Sequence, residues 1–254
     1  MKEINSRQNQ FVKELKKLHT HKGRKQTQEY MVEGFHLIEE AKKADVSFQS
    51  VIFTKKAQTN WSDFLTNIPD EQKILVSDEV MEAISTLPSP QGILAVVKNE
   101  KKTLPNYYSG KWLLLDNVQD PGNVGTMIRS ADAAGFTGVI IGEGTADIYS
   151  PKVLRSMQGS NFHIPIYQAD LQVVIEEMSH GTITVYGTQL NEEAQNLRDV
   201  PKNDNVAIIM GNEGVGVNPK LLSLTDKDIY IEMRGQVESL NVSVAAGIIM
   251  FHFS

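Results

Sequence analysis

The chain contains no cysteine among its 254 residues. This absence excludes disulfide bridges, thiolate metal ligands and cysteine nucleophiles. The six histidines are scattered, and only His19 and His21 lie close together in the sequence. Because the ligand spacing of a zinc site is missing, we expect no metal.

Long apolar runs are also missing. No apolar stretch reaches the roughly 18 residues that a membrane-spanning helix needs. The polar start, M-K-E-I-N-S-R, lacks the basic and apolar pattern of a signal peptide. With 41% hydrophobic and 22% charged residues, the composition is typical of a globular protein. We therefore expect a soluble cytoplasmic protein with no membrane partner.

Positive charges are outnumbered by negative ones overall but are concentrated near the N-terminus. The net charge is −6, yet residues 1–25 hold eight lysines and arginines against two glutamates, so the remainder carries −12. Such a basic region attracts phosphates, although a solvated helix face is an equally good interpretation. The cations that we predict to contact a nucleic acid are Arg7, Lys13, Lys16, Lys17 and Arg24.

The apolar pattern predicts two α/β domains. Phe11, Leu15 and Leu18 follow helical spacing and predict an amphipathic helix over residues 6–19, which Gly23 ends. Strand and helix patterns then alternate as far as Lys98, which predicts a small parallel or mixed α/β sandwich. We interpret the charged, proline-containing segment 98–110 as a linker, and predict domains at 1–104 and 105–254. The second domain has predicted strands at 112–116, 138–141, 183–186, 206–210 and 229–231 and helices at 124–135, 151–158 and 241–251.

The first polar block runs from Asp116 to Phe136 and follows a predicted strand. We predict Asn123 as the N-cap of the next helix, whose free amides would suit an anion such as phosphate. Arg129 follows in apolar surroundings, where a guanidinium needs a specific partner. The alternative is an ordinary helix cap, with Arg129 paired to Asp132 or to another acid.

Two further polar blocks lie near the C-terminus. The block I-M-G-N-E-G-V-G, residues 209–216, matches neither the dinucleotide fingerprint nor the P-loop, and places Glu213 among glycines. A tight strand-to-helix turn is the alternative to a ligand loop. In the block E-S-L-N-V-S-V-A, we expect Ser239 and Asn241 to cap a final helix that is buried through Val242, Val244, Ala245, Ile248 and Ile249. Capping needs one polar residue, so two favour a ligand role.

Together and in this order, the three blocks resemble the SpoU/TrmH branch of the SPOUT RNA methyltransferases. The resemblance covers about residues 112–253, and two N-terminal stretches, N-S-R-Q-N-Q-F-V-K-E-L and Y-M-V-E-G-F-H-L-I-E-E-A, resemble the substrate-binding domain of rRNA-modifying members. It implies an α/β fold in which a SPOUT-type domain with a deep trefoil knot follows a smaller, ribosomal-protein-like α/β sandwich. It also implies homodimers whose active sites draw on both subunits.

The resemblance further implies methyl transfer from S-adenosylmethionine to a ribose 2′-hydroxyl of RNA, with rRNA favoured over tRNA by the N-terminal domain. The implied catalytic residues are Asn123, Arg129, Glu213, Ser239 and Asn241, and the implied cofactor-binding residues are Thr188, Gly211, Ile231 and Leu240. A tRNA methyltransferase, an inactive RNA-binding or ribosome-assembly protein of the same fold, and a dinucleotide-dependent oxidoreductase are the rival interpretations.

The chemistry of such a reaction restricts the role of Arg129. The hydroxyl must lose its proton as it attacks, and the reacting atoms must be aligned. Guanidinium groups stay protonated in proteins, with pKa values above about 12, so arginine is an awkward base. We expect Arg129 to clamp a phosphate and stabilise the developing alkoxide, and the phosphate, Glu213 or water to receive the proton.

Overall fold

The computed structural model describes residues 1–100, 102–105 and 108–254. It divides into two compact units. The N-terminal unit comprises Met1–Glu100 together with Tyr149–Phe162, and the C-terminal unit comprises Lys101–Ile148 and His163–Ser254. Three residues of the predicted linker, Lys101, Asn106 and Tyr107, lie outside the described residues. The domain limits given by the sequence stay a prediction.

The N-terminal unit is built on a mixed five-stranded sheet in the order β1-β4-β3-β5-β2. Strands β1 and β3 pair with β4 in parallel, whereas β5 is antiparallel to β2 and β3. Its strands are β1 (Lys2–Ile4), β2 (Glu29–Glu33), β3 (Phe48–Phe53), β4 (Lys73–Val76) and β5 (Ile93–Lys98). Its helices are α1 (Gln10–Lys17), α2 (His21–Thr27), α3 (Phe35–Lys43), α4 (Lys55–Asn60), α5 (Ser62–Thr66), α6 (Asp78–Ile84) and α8 (Pro151–Met157).

The first helix is shorter than the sequence predicts. It begins at Gln10, because the Asn9 side chain accepts a hydrogen bond from the Phe11 backbone N–H, and it ends at Lys17. Gly23 does not break it, since Gly23 is buried inside α2. A Cβ at Gly23 would lie 1.9 Å from the Lys17 carbonyl oxygen. Glycine therefore permits the close approach of α2 to the end of α1, which helical periodicity does not reveal.

Helix α8 belongs to the N-terminal unit although its sequence follows the second strand of the other unit. The Tyr149 ring packs on the Tyr30 ring with centroids 4.6 Å apart. The Arg155 guanidinium donates a hydrogen bond of 2.9 Å to the Thr86 hydroxyl. On α8 itself, Val153, Leu154 and Met157 are buried.

The C-terminal unit contains a wholly parallel seven-stranded sheet in the order β10-β12-β9-β11-β6-β7-β8. Its strands are β6 (Lys111–Leu115), β7 (Gly138–Ile141), β8 (Ile166–Gln168), β9 (Thr184–Thr188), β10 (Gln195–Asn196), β11 (Val206–Met210) and β12 (Lys227–Tyr230). Its helices are α7 (Pro121–Ala133), α9 (Leu171–Ser179), α10 (Pro219–Leu222) and α11 (Val242–Phe253). The predicted α/β class is confirmed, and the five predicted strands of this domain are present within a few residues.

Helices α7 and α11 pack against each other. On α11 the buried apolar residues are Ala246, Ile249, Met250 and Phe253. Burying a side chain of the size of Ile249 stabilises the fold by roughly 1.5–3 kcal/mol. The expectation that Val244 and Ile248 are buried is wrong, because they are 51% and 43% exposed.

The longest described helix, α7, has 13 residues. At about 1.5 Å per residue it is roughly 20 Å long, less than the roughly 30 Å of a bilayer core. Within the described ranges, no helix has both the length and the apolar character that crossing a membrane requires.

Candidate active site

The predicted site residues follow strands whose carboxyl ends lie on one edge of the parallel sheet. Strand β11 lies between β9 and β6, and β12 lies beside β9. Thr188 is the last residue of β9, Gly211 follows β11, and Ile231 follows β12. Open α/β sheets bind their ligands at this edge. The architecture therefore brings together segments that are far apart in the sequence.

The start of α7 is capped by Asp120 and not, as the sequence suggests, by Asn123. The Asp120 side chain accepts a 3.0 Å hydrogen bond from the Asn123 backbone N–H, and Pro121 occupies the first turn. Proline is well suited there because its missing N–H would have no helical partner. Asn123 lies within the first turn, so its side chain is not needed for capping.

The Asn123 side chain joins the other two blocks instead. Its Nδ2 donates to Glu213 Oε1 over 3.0 Å, and its Oδ1 accepts from Asn241 Nδ2 over 3.1 Å. Glu213 lies 90 residues and Asn241 118 residues further along the chain. The three blocks therefore meet at one amide group, which uses both its donor and its acceptor for this purpose.

The Glu213 carboxylate is held by three donors. Besides Asn123, the backbone N–H of Asp120 donates to it over 3.0 Å and that of Gln119 over 3.2 Å. Partial burial raises the pKa of Glu213, but the hydrogen bonds from the Asn123 side chain and from the backbone together outweigh it, so the pKa is lower than usual. A carboxylate with a lowered pKa is a weak base, so Glu213 is better suited to fixing geometry than to accepting a proton.

The loop that carries Glu213 is closed on itself. The backbone groups of Asn212 and Gly216 exchange two hydrogen bonds, of 3.0 and 2.9 Å. The Asn212 side chain accepts from the backbone N–H groups of Gly214 and Val215 and donates to the Asn117 carbonyl over 3.0 Å. Sequence reasoning missed Asn212 and Asn117. An asparagine that opens a glycine-rich turn is the one available signal, since its side chain commonly bonds the backbone two residues on.

The cofactor residues predicted at the strand ends differ in how they are held. A Cβ on Gly211 would lie 2.2 Å from the Val217 backbone nitrogen, so the returning loop leaves no room for a side chain. The Thr188 hydroxyl donates to the Ile209 carbonyl over 2.7 Å and ties β9 to β11. Ile231 and Leu240 are half-buried in the segment between β12 and α11.

Arg129 lies on α7 with an exposed side chain. Across the described ranges it makes no hydrogen bond or ion pair. The alternative interpretation, a pair with Asp132, is not what the structure shows, because Asp132 Oδ2 lies 3.1 Å from His163 Nδ1. Arg129 is therefore available to a ligand.

The two polar residues before α11 have separate roles. Asn241 caps the helix, with its Oδ1 accepting from the backbone N–H of Ser243 over 2.9 Å while its Nδ2 reaches Asn123. Ser239 does not cap the helix; it is exposed, and no hydrogen bond joins it to another residue of the described part of the chain. The hydroxyl of Ser239 is therefore free to contact a ligand.

The cations predicted to contact RNA differ in whether another residue of the protein holds them. Lys13, Lys16 and Lys17 are exposed on α1, and no carboxylate among the residues that the structure covers pairs with them. Arg7 is exposed, donates to the Glu79 carbonyl over 2.9 Å and pairs with a second acid of α6. The prediction that Arg24 contacts a nucleic acid is wrong, because Arg24 is only 5% exposed and donates to the Leu18 carbonyl over 2.7 Å. Its guanidinium closes the turn after α1 and is not a surface contact.

One group of side chains in the described sequence has the spacing to hold a metal ion, and it lies on α3. The ligand atoms of His36, Glu39 and Glu40 lie within 4.8 Å of one another. Lys43 Nζ already pairs with both glutamates, at 3.2 and 2.9 Å. The lysine supplies the positive charge that a cation would bring, so this cluster gives no ground for a metal.

A cleft of about 970 Å³ lies along the same edge of the sheet, beyond the Asn212–Gly216 loop. Its lining includes Asn117, Thr145, Gln168 and Val215. The volume suits a ligand of nucleotide size. None of the four predicted cofactor residues lines this cleft, so it is a separate surface beside the Glu213 loop.

Comparison with known proteins agrees with this geometry. Residues 110–251 match the SpoU rRNA Methylase family, and residues 9–95 match the MRM3-like substrate binding domain. The chain is 43% identical over 252 residues to the 23S rRNA (guanosine(2553)-2′-O)-methyltransferase RlmP of Bacillus subtilis, covering 99% of both chains. It is 34% identical over 185 residues to the 23S rRNA (guanosine-2′-O-)-methyltransferase RlmB of Acinetobacter baylyi, covering 69% of this chain and 75% of that protein.

Solved structures give the same result. The AdoMet-bound rRNA methyltransferase of Sinorhizobium meliloti superimposes with a TM-score of 0.88 at 28% identity, over 99% of this chain and 97% of the other. The SpoU methyltransferase AviRb of Streptomyces viridochromogenes, in complex with AdoMet, gives 0.87 at 25% identity over 97% of each chain. With its three blocks joined at Asn123 and a family match over more than half its length, the chain belongs to the SpoU rRNA methylase family.

Proposed function

We propose that this protein transfers a methyl group from S-adenosylmethionine to a ribose 2′-hydroxyl of RNA, and that its substrate is 23S-type ribosomal RNA in the cytoplasm. The observation that carries the proposal is the Asn241–Asn123–Glu213 chain of hydrogen bonds, together with the unpaired Arg129 on the same helix as Asn123. The relative from Bacillus subtilis is named for a guanosine of 23S rRNA, so a guanosine is the first nucleotide to test. The second family match, over residues 9–95, supports an RNA-binding role for the N-terminal unit.

The segments after β9, β11 and β12 fit an adenosyl ligand. Such a ligand is recognised by apolar contacts together with a few backbone donors and acceptors. Leu190 and Val237, which are 77% and 61% exposed, lie within three residues of Thr188 and Leu240 and offer apolar surface. We assign the cofactor to Thr188, Gly211, Ile231 and Leu240. Binding of S-adenosylmethionine itself is supported by two structural relatives solved with AdoMet.

When bound, S-adenosylmethionine would supply a methyl group on a sulfonium: the ribose oxygen would form the new O–C bond in line with the breaking C–S bond, and the neutral thioether S-adenosylhomocysteine would leave. The protein must align the ribose hydroxyl and stabilise the negative charge that develops on its oxygen. Arg129 does the latter, with its guanidinium clamping the neighbouring phosphate. Asn123, Ser239 and Asn241 orient the ribose, and Glu213 fixes Asn123 and the first turn of α7. Both oxygens of the Glu213 carboxylate already accept hydrogen bonds from Asn123 and two backbone N–H groups, so in this proposal the proton leaves to solvent water or by way of the substrate's phosphate.

The protein acts as a homodimer in this proposal. Val244, Ile248 and Phe251 follow one another at helical spacing on α11 and are 51%, 43% and 54% exposed. The opposite side of α11 is buried against its own unit, so both sides of the helix are apolar. An exposed apolar helix face of this kind is typical of a subunit interface. We further propose that the segment from β12 to α11 forms the trefoil knot that the family resemblance implies.

A direct test is to map ribose methylation in ribosomal RNA from cells with and without this protein. We expect one guanosine of 23S rRNA to lose its methyl group in the deleted strain and to regain it on complementation. Complementation with the Arg129→Ala variant should fail, whereas Arg198→Ala, a matched exposed arginine of the same unit, should restore the methyl group. An unchanged rRNA map together with a lost tRNA methyl group would establish the tRNA alternative. If neither map changes, a binding or assembly role replaces the enzymatic one.

A further inference from the structure

Arg129 has an acidic neighbour on its own helix with which it does not pair. Asp132 follows Arg129 by three positions on α7, the spacing at which opposite charges on a helix attract each other. The Asp132 carboxylate instead lies 3.1 Å from His163 Nδ1, with the two side chains 28% and 40% exposed. Asp132, the acidic residue closest to Arg129 along the helix, is therefore already paired with His163.

No other carboxylate of the neighbouring helices competes for Arg129. Between Pro121 and Ala133, Asp132 is the one acidic residue, and Asp120, which caps this helix, accepts from the Asn123 backbone N–H. Helix α11, which packs against α7, contains no acidic residue. Glu213 is held by Asn123 and two backbone donors. Among the acids of α7, α11 and the Glu213 loop, Asp132 is therefore the one placed to neutralise Arg129.

We propose that His163 is a positioning residue that holds Asp132 and thereby keeps the Arg129 guanidinium unpaired for the phosphate of the substrate. His163 acts through Asp132 and touches no reacting atom. The inference rests on the proposed function only in its assumption that Arg129 takes part in methyl transfer. The competition between His163 and Arg129 for one carboxylate is a property of the protein alone and is measurable without substrate.

The expected effect on catalysis is modest, because an exposed ion pair on a helix is weak. Freeing Asp132 should divert Arg129 in part of the molecules and lower kcat/KM by about two- to five-fold. Which variants lose activity and which recover it is therefore more informative than the size of the change in kcat/KM of any single variant.

The test is a mutant cycle of His163→Ala, Asp132→Asn and the double variant, assayed by methyl transfer to a 23S rRNA fragment that the wild-type protein modifies. We expect His163→Ala to lose activity, Asp132→Asn to stay near wild type, and the double variant to recover, because no carboxylate then remains to pair with Arg129. His163→Gln, which keeps a donor for Asp132, should also stay near wild type. If Asp132→Asn is as impaired as His163→Ala and the double variant does not recover, the pair is merely structural and the proposal fails.

A second measurement does not depend on activity. The NMR signal of the Arg129 Nε–H group, assigned by its loss in Arg129→Lys, should shift in His163→Ala and return in the double variant. An unchanged signal in His163→Ala overturns the proposal even if Arg129 is essential for catalysis. Conversely, a shift in His163→Ala together with full activity of Arg129→Ala would leave the competition for Asp132 in place and refute the proposed role of Arg129.

Discussion

The Asn123 site and the basic face of α1 hold their polar side chains in opposite ways. In the site, Asn123, Glu213 and Asn241 are each fixed by partners that lie far away in the sequence. On α1, the lysines 13, 16 and 17 extend from a surface that gives them no partner among the described residues. The difference follows from the two tasks. Methyl transfer depends on groups aligned before the substrate arrives, whereas attraction of phosphates depends on charge and tolerates mobile side chains.

The largest effect is expected from removing Arg129, whose charge has no partner among the described residues. Arg129→Ala should lower kcat by about 10²–10³-fold, the usual cost of losing a group that stabilises developing negative charge. S-adenosylmethionine affinity should stay within about two-fold of wild type, because Arg129 is not among the cofactor residues. Single-turnover methyl transfer and calorimetry measure the two quantities. Full activity of the variant would remove Arg129 from the mechanism.

A second test addresses how rigidly the Glu213 loop is built. A methyl group added at Gly211 meets backbone at 2.2 Å, whereas one added at Gly214 has its nearest neighbour at 3.5 Å. Overpacking of this kind costs about 1–3 kcal/mol, so Gly211→Ala should lower the Tm by several degrees. Gly214→Ala, in the same loop, is the matched control and should leave the Tm nearly unchanged. Equal melting curves would show that the loop adapts.

On the basic face of α1, the charge of the lysines should matter more for RNA binding than their exact geometry. Replacing Lys13, Lys16 and Lys17 together by glutamine should weaken RNA binding about ten-fold at low salt and flatten the slope of log K against log salt by about 2. The same change at Lys42, Lys55 and Lys56, exposed lysines of the same unit, is the control. Fluorescence anisotropy over a salt series measures both effects. Equal losses in the two triple variants would indicate a diffuse charge effect and not an α1 interface.

The smallest expected effect is the pH dependence of the network at Glu213. Its pKa in the folded protein lies below the reference value of 4.5, so the unfolded chain binds more protons in that range. The stabilising contribution is therefore complete above about pH 5 and is lost as the pH falls through the folded pKa. The Tm difference between wild type and Glu213→Gln should shrink between pH 7 and pH 3. A Tm difference that stays constant with pH would mean that the network does not depend on the ionised form of Glu213.

The sequence was sufficient to single out polar groups that the structure brings together, because these groups are recognisable as residue types in a fixed order. Glu213 among glycines, Asn241 before a helix and Arg129 after a turn are visible without coordinates, and the structure joins Glu213 and Asn241 at Asn123. The apolar runs also predicted the five strands from β6 to β12 that are long enough to show a pattern. Two strands, β8 and β10, are only three and two residues long and were not predicted.

Features that depend on non-local contacts could not be predicted. Asp120 caps α7 through a local bond to Asn123, whereas the contacts of the Asn123 side chain with Glu213 and Asn241 are non-local and do not show in the sequence. The burial of Arg24 follows from its bond to the Leu18 carbonyl in the turn after α1. Nothing in the sequence distinguishes His163 from the other scattered histidines, because its contact with Asp132, 31 residues away, exists only in the folded protein.

Because residues 149–162 pack with the N-terminal unit, we expect the C-terminal half of this protein to be destabilised when it is excised alone. This segment falls within the stretch that matches the methylase family, yet its contacts are made with the N-terminal unit. A fragment beginning near residue 105 would leave Val153, Leu154 and Met157 without the surface that covers them. A chimera that exchanges one unit of this protein for that of a relative therefore has to keep residues 149–162 together with the N-terminal unit.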